Sequence, residues 1–230
     1  MRIVVTGATG MVGRVAVQRF ADRGDDVLAV GRDMSRLRES VVGRAVCIES
    51  DYNHGSLRRA FHGVDAVIHL AARRIAPSSE GIRPYWKANV LSTENVIRAA
   101  CDNHVDRLCQ ASTISVYSQA NPIPFSEDQV PVPETPYGVT KLACEHLAFV
   151  YAQSYPIQIT SLRISRILGE DRTAADRMLM SFLRKARAKQ PLDIWGEGVG
   201  ARDTVYVRDV VSAIESAIAP GAPSGSFNIG

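Results

Sequence analysis

Cysteine is scarce in this chain and shows no pattern. Cys47, Cys101, Cys109 and Cys144 form no CxxC pair and have no histidine at metal-ligand spacing. That argues against a disulfide framework and against a zinc site, and no metal is expected. Long apolar runs are missing too, and Met1 leads straight into the strand-like RIVVT without a charged-then-apolar leader. Membrane insertion and secretion are therefore not expected, and a reducing, cytoplasmic setting fits. There is no basic run with interleaved aromatics. A net charge of +3 and a pI near 8.7 are a mild excess that gives no reason to expect a nucleic-acid partner. Internal repeats and low-complexity tracts are also lacking.

What the chain does have is apolar content: 46% of its 230 residues are hydrophobic, enough for one full core and part of a second lobe. Short β-branched runs (RIVVT, DVLAVG, AVCIES, DAVIHLAA, DRLCQAS, QITSLRI) alternate with helical patterns, including a long helix near 82–103. Such alternation predicts a parallel sheet covered on both faces, a doubly wound α/β (Rossmann) fold over residues 1–168. The proline-thickened stretch 121–136 reads as an ordered loop at the carboxyl edge of the sheet, where such folds place their ligands. After Gly169 the pattern changes to a helix near 174–188 and then to PLDIWGEGVGARDTVYVRD. Residues 169–230 are expected to form a partial, incomplete substrate lobe with segments returning to the first domain, in a chain shorter than the natural protein.

TGATGMVG, residues 6–13, lies between the first strand and the first helix. Gly7 permits a tight turn, Gly10 a close approach of backbone to a pyrophosphate, and Gly13 close packing of helix on strand, with Met11 and Val12 opening the helix. The second strand ends in Gly31-Arg32-Asp33. A carboxylate there suits a free ribose 2′-hydroxyl and an arginine suits a 2′-phosphate, so Arg32 favours NADP(H), while Asp33 leaves NAD(H) open.

TPYGVTK, residues 135–141, reads as a helix start. Thr135 suits the N-cap and Pro136 the first turn, which puts Tyr137 and Lys141 on one face, one turn apart. A tyrosine beside an ammonium and near a helix N-terminus is expected to have its pKa lowered from about 10 toward the working range, as an acid/base requires.

Taken in order, these stretches resemble the extended short-chain dehydrogenase/reductase family, the NAD(P)-dependent epimerase/dehydratases of nucleotide sugars. The resemblance runs from residue 1 to the end. It implies that the glycine turn binds the cofactor pyrophosphate, that Asp51 with Tyr52 lies by the adenine, and that Leu70, Ala71 and Ala72 of HLAA pass the ribose and phosphates. It implies further that Asn89 is the buried asparagine of the long helix, and that ASTISVYS supplies Ser112 on the cofactor side and Thr113 as hydroxyl partner of the tyrosine. Tyr137 would then exchange the proton with substrate while Lys141 holds the nicotinamide ribose. Arg202 of GARDTVYVRD would grip the nucleotide diphosphate, with Arg73, Thr113 and Arg166 as further substrate contacts.

Two departures narrow the activity. Dehydratases of the family carry Asp-Glu after the threonine, whereas this chain has Ile114-Ser115, so elimination is disfavoured. Arg166 stands in LRISRILG where the family often has asparagine. The resemblance thus implies a nucleotide-sugar epimerase, acting at C4 through a keto intermediate. A ketoreductase using the same residues is the alternative, and a non-catalytic dinucleotide sensor is a third reading. The helix after Pro136 is apolar over more than one stripe, with Leu142, Leu147, Phe149 and Val150, and by resemblance a homodimer is expected.

Overall fold

The first strand, β1 (Arg2–Thr6), is buried at every residue except Arg2, as a strand covered on both faces must be. A computed structural model describes residues 1–74, 81–169, 177–194 and 202–230. In chain order β1 is followed by α1 (Met11–Asp22), β2 (Asp26–Gly31), α2 (Met34–Val41), β3 (Val46–Glu49), α3 (His54–Ala60) and β4 (Ala66–His69). Then α4 (Ile82–Tyr85) runs through a π-helical turn (Trp86–Leu91) into α5 (Ser92–Asp102). Next come β5 (Arg107–Thr113), a 3-10 turn (Ile114–Val116), α6 (Pro136–Ser154), β6 (Gln158–Ile164) and β7 (Arg166–Leu168). The remaining elements are α7 (Arg177–Arg187), β8 (Thr204–Tyr206), α8 (Val207–Ala217) and β9 (Gly225–Ile229).

Seven strands make one parallel sheet in the order β3-β2-β1-β4-β5-β6-β9. The order reverses direction between β1 and β4, the switch point where doubly wound sheets open a crevice at the carboxyl ends of their strands. Successive side chains of β1 feed opposite cores. Ile3 and Val5 pack with Val17 and Phe20 of α1 and with Val210 and Ile214 of α8, while Val4 packs with Leu57 of α3 and with Val96 and Ile97 of α5. The doubly wound α/β fold expected from the alternation is the one found.

The expected long helix near 82–103 is present but carries the π turn at its middle, the kind of irregularity that accumulates at functional sites. The helix expected near 174–188 is seen as α7 from Arg177, and residues 174–176 lie outside the described residues. The segment 121–135 has no helix or strand and is braced from within: Asn121 Nδ2 donates to Val130 O at 2.8 Å and Gln129 Nε2 to Pro122 O at 2.9 Å. β7 and β8 pair apart from the main sheet, but α8 packs on α1 and β9 returns beside β6.

Candidate active site

The site is assembled at the carboxyl ends of β1, β2, β4 and β5, and at the start of α6. Gly7 has φ +69°, and a Cβ there would lie 2.7 Å from Ala71 N, so the turn after β1 rests directly on the chain leaving β4. A Cβ on Gly13 would lie 2.3 Å from Gly7 O, which fixes α1 against that turn. Gly10 caps α1 with no side-chain hydrogen bond, and no acidic residue lies in the helix's first turn. The first N–H groups of a twelve-residue helix are therefore left for an anion, and the cradle fits a dinucleotide pyrophosphate.

Thr6 and His69 lock this cradle. Thr6 Oγ1 accepts from the N–H groups of Leu70 and Ala71, both at 3.2 Å, so its own proton goes to His69 Nδ1 at 2.8 Å. His69 is then the Nε2–H tautomer and donates to Thr93 Oγ1 at 3.0 Å. Complete burial, with Lys141 nearby, pushes the His69 pKa down to about 3, so the ring stays neutral.

At the end of β2, Gly31 offers no carboxylate. Arg32 is exposed, with its guanidinium 5.1 Å from the centre of the Tyr52 ring. Asp33 is the N-cap of α2: its Oδ1 accepts from Arg36 N at 3.0 Å and Ser35 Oγ at 2.6 Å, which holds the carboxyl below its usual range. The cap engages Oδ1 of the carboxylate that the sequence offers to a ribose. Tyr52 is buried at φ +64° and donates to Val30 O at 3.2 Å. Asp51 accepts from Asn53 and Ser56 at the start of α3.

Asn89, on the π turn, is buried and ties three elements. Its Oδ1 accepts from Arg73 N at 2.7 Å, and its Nδ2 donates to Arg73 O at 3.3 Å and to Thr140 Oγ1 at 3.1 Å. Thr140 in turn donates to Tyr137 O at 2.9 Å. The asparagine thus links the chain leaving β4 to the first turn of α6.

Thr135 accepts from Gly138 N at 3.0 Å and caps α6 as expected. Tyr137 and Lys141 follow one turn apart, with Lys141 buried, and Thr113 stands at the end of β5, where its hydroxyl accepts from Ser115 N at 3.1 Å and donates to Ser115 Oγ at 3.2 Å. The expected drop in the tyrosine pKa is not what this geometry gives. Burial pushes Tyr137 up, opposed chiefly by Arg74 and then by the Thr113 hydroxyl. Burial also lowers Lys141, opposed by Cys144 and Glu145. Arg74 is the cation acting on the phenol, and it lies just after HLAA.

Ser112, beside Thr113, turns its hydroxyl to the Glu145 carboxylate. Glu145 is in turn held by Arg163, with Nη2 to Oε2 at 2.7 Å and Nε to Oε2 at 3.1 Å. Both side chains are buried, and removing one partner of such a pair costs about 3–5 kcal/mol. A groove lined by Ser115, Tyr117, Phe125, Glu134 and Thr135 flanks the start of α6.

Of the arginines, Arg73 lays its guanidinium 5.5 Å from the centre of the Tyr85 ring, while Arg166 and Arg202 are exposed. Arg166 pairs in register with Thr204, and Arg202 lies two residues before Thr204. Gly200 and Ala201 of the Arg202 motif lie outside the described residues. Sequence reasoning missed Thr6, Thr93, Glu145 and Arg163. The last two carried a signal, a charge inside an apolar helix stripe and another inside a fully buried strand.

The profile of the NAD dependent epimerase/dehydratase family matches residues 3–230. A UDP-glucose 4-epimerase of Corynebacterium glutamicum is 28% identical over 228 residues, covering 93% of this chain and 69% of that protein. The UDP-N-acetylglucosamine 4-epimerase structure from Bacillus cereus superposes with a TM-score of 0.87 at 31% identity, over 100% of this chain and 75% of that one. The Bacillus cereus UDP-glucuronic acid 4-epimerase, solved with UDP-glucuronic acid and NAD, gives 0.85 at 29% identity over 100% and 77%. With residues 3–230 matched, the chain belongs to the NAD dependent epimerase/dehydratase family.

Proposed function

We propose that this chain is the catalytic part of a nucleotide-sugar 4-epimerase. The observation that carries the reading is Tyr137 one turn before buried Lys141 at the Thr135-capped start of α6, in a sheet whose first strand turns through a glycine cradle into the N-terminus of α1. Solved relatives with these folds are 4-epimerases of UDP sugars, one of them with NAD bound.

When bound, the dinucleotide supplies the acceptor and donor of hydride. Gly7, Gly10 and Gly13 hold its pyrophosphate, with Met11 and Val12 at the helix start, and Leu70, Ala71 and Ala72 line its ribose side. Lys141 holds the nicotinamide ribose. Tyr137 takes the proton of the sugar's C4 hydroxyl and later returns it, while Thr113 orients that oxygen. Arg166 and Arg202 hold the nucleotide diphosphate through their guanidinium groups. The Arg74 charge opposes the burial that pushes the phenol's pKa up.

The preferred cofactor is NADP(H). Gly31 has no carboxylate, Asp33 is engaged as a helix cap, and Arg32 stands free of the sheet over Tyr52. The protein is a homodimer formed through α6, whose Phe149 and Val150 are exposed at 65% and 56% beyond the buried stripe.

The test is to denature the purified protein, identify any released nicotinamide cofactor by mass spectrometry, titrate the apo form with NADPH and NADH, and assay UDP-glucose, UDP-glucuronic acid and UDP-N-acetylglucosamine. Interconversion of a 4-epimer pair, abolished by Tyr137→Phe, is expected. A net reduction that consumes NADPH would instead identify a ketoreductase.

A further inference from the structure

Glu145 and Arg163 hold two buried charges that no step above uses. Glu145 comes from the inner stripe of α6, one turn past Lys141, and Arg163 from the carboxyl end of β6. Every polar end of the pair is engaged. Ser112 Oγ donates to Glu145, Ser226 Oγ of β9 donates to Oε2 at 3.1 Å, and Arg163 Nη1 donates to the Tyr117 hydroxyl at 2.6 Å. The Tyr117 hydroxyl lies 3.1 Å from both Ser126 O and Asn228 Oδ1.

Ser112 and Tyr117 bracket one short segment. Between them lie Thr113 and the turn Ile114–Val116, in which Ser115 N donates to Thr113 Oγ1 at 3.1 Å and Tyr117 N to Ile114 O at 3.0 Å. One ion pair therefore grips both ends of the segment that presents the Thr113 hydroxyl. An apolar pair of similar volume would pack in the same place without the desolvation of two charges, so stability alone does not call for ions here. What an apolar pair could not do is bond Ser112 on one side and Tyr117 on the other.

We propose that the Glu145–Arg163 pair is a positioning clamp that sets the Thr113 hydroxyl against Tyr137 by holding Ser112 and Tyr117 at the two ends of the intervening turn. Its catalytic consequence rests on the functional reading above. Neither residue touches the reacting atoms. They act through the strand end and the turn, and a misplacement of about 1 Å at such a site costs about 100-fold in rate.

The test uses Ser112→Ala and Tyr117→Phe, which leave the ion pair whole, and the double variant Glu145→Leu with Arg163→Met, which replaces the ions without stranding either charge. Each is read by turnover of UDP-glucose, by titration with NADPH and NADH, and by amide hydrogen exchange. The expected result is a kcat lower by about 10–100-fold, with KM and cofactor affinity held within about 3-fold. The amides of Ser115 and Tyr117 should exchange faster, with β6 and β9 unchanged in the two single variants. Ser112→Thr, which keeps the hydroxyl, should restore kcat. Folded variants with unaltered kcat and unaltered exchange at these amides would overturn the clamp, as would acceleration spread evenly through the sheet. If the unaltered enzyme turns over none of the three UDP sugars, the functional reading falls by itself. The exchange pattern then decides the clamp: local acceleration supports it and none overturns it.

Discussion

Gly138 lies so close to Ser115 that a Cβ on it would sit 2.1 Å from the Ser115 carbonyl oxygen and 3.1 Å from Pro133 Cβ. The residue after Tyr137 is thus pressed onto the turn that follows Thr113. Helix propensity alone would favour alanine over glycine there by about 1 kcal/mol, but a backbone oxygen cannot move aside as a flexible side chain would. Gly138→Ala should push the start of α6 away from β5 and lower kcat by about 100-fold, with the protein still folded by circular dichroism. An active Gly138→Ala enzyme would show that this contact does not set the distance between the two hydroxyls.

His69 makes stability depend on pH in a defined direction. Its folded pKa is depressed to about 3 by burial, against about 6.5 in an unfolded chain. Between those values the unfolded state binds the extra proton, so the stabilisation is whole above pH 6.5 and is lost as pH falls toward 3. The slope from this one group is about 1.4 kcal/mol per pH unit. Denaturant midpoints between pH 7 and pH 5 should fall more steeply for the unaltered protein than for His69→Gln.

Asn89→Ala should lower stability more than a typical exposed substitution. It removes the bonds that Asn89 makes to the Arg73 N–H and C=O and to Thr140, and a hydrogen bond of this kind contributes about 0.5–1.5 kcal/mol. For a chain of this size each kcal/mol lost lowers the melting temperature by roughly 2–4 °C, so a drop of several degrees is expected. Asn89→Asp tests the donor half separately, since it keeps the acceptor for Arg73 N and loses the donor to Thr140.

Cofactor choice should turn on two residues at the tip of β2. Replacing Gly31 by Asp and Arg32 by Asn supplies an acceptor for a ribose hydroxyl and removes the guanidinium. A hydrogen bond to a charged group is worth about 1.5–3 kcal/mol, so the ratio of NADP to NAD affinity should fall by about 10–100-fold. Fluorescence titration with NADPH and NADH reads the ratio directly. A ratio left unchanged would place the phosphate contact elsewhere.

Much of this was legible in the sequence because it is local. The three glycines of residues 7–13 lie within one turn and helix start, and Thr135, Tyr137 and Lys141 lie within two helical turns. Spacing therefore carries their geometry. The alternation of strands and helices carried the doubly wound sheet for the same reason. What spacing could not carry is contact across the fold. The cation that opposes burial at Tyr137 is Arg74, which comes from the chain after β4 rather than from the same helix. The role of Asp33 as the cap of α2 was likewise not visible in the spacing. Ser112 stands where the resemblance puts a cofactor contact, yet its hydroxyl finds Glu145, a partner set by how α6 lies over β5 and β6.

The pairing of β9 with β6 has a consequence for how the chain is made. β6 is fully buried apart from its first residue, yet its outer neighbour is supplied only after the whole stretch from β7 to α8 has been synthesised. Until then a nascent chain on the ribosome presents β6 as an unpaired edge of seven residues, the kind of surface that recruits strands from other molecules. Ser226, which completes the bonding of Glu145, arrives on the same late strand. Chaperone dependence and aggregation during expression should therefore respond to substitutions in residues 225–229 well before the finished enzyme's activity does.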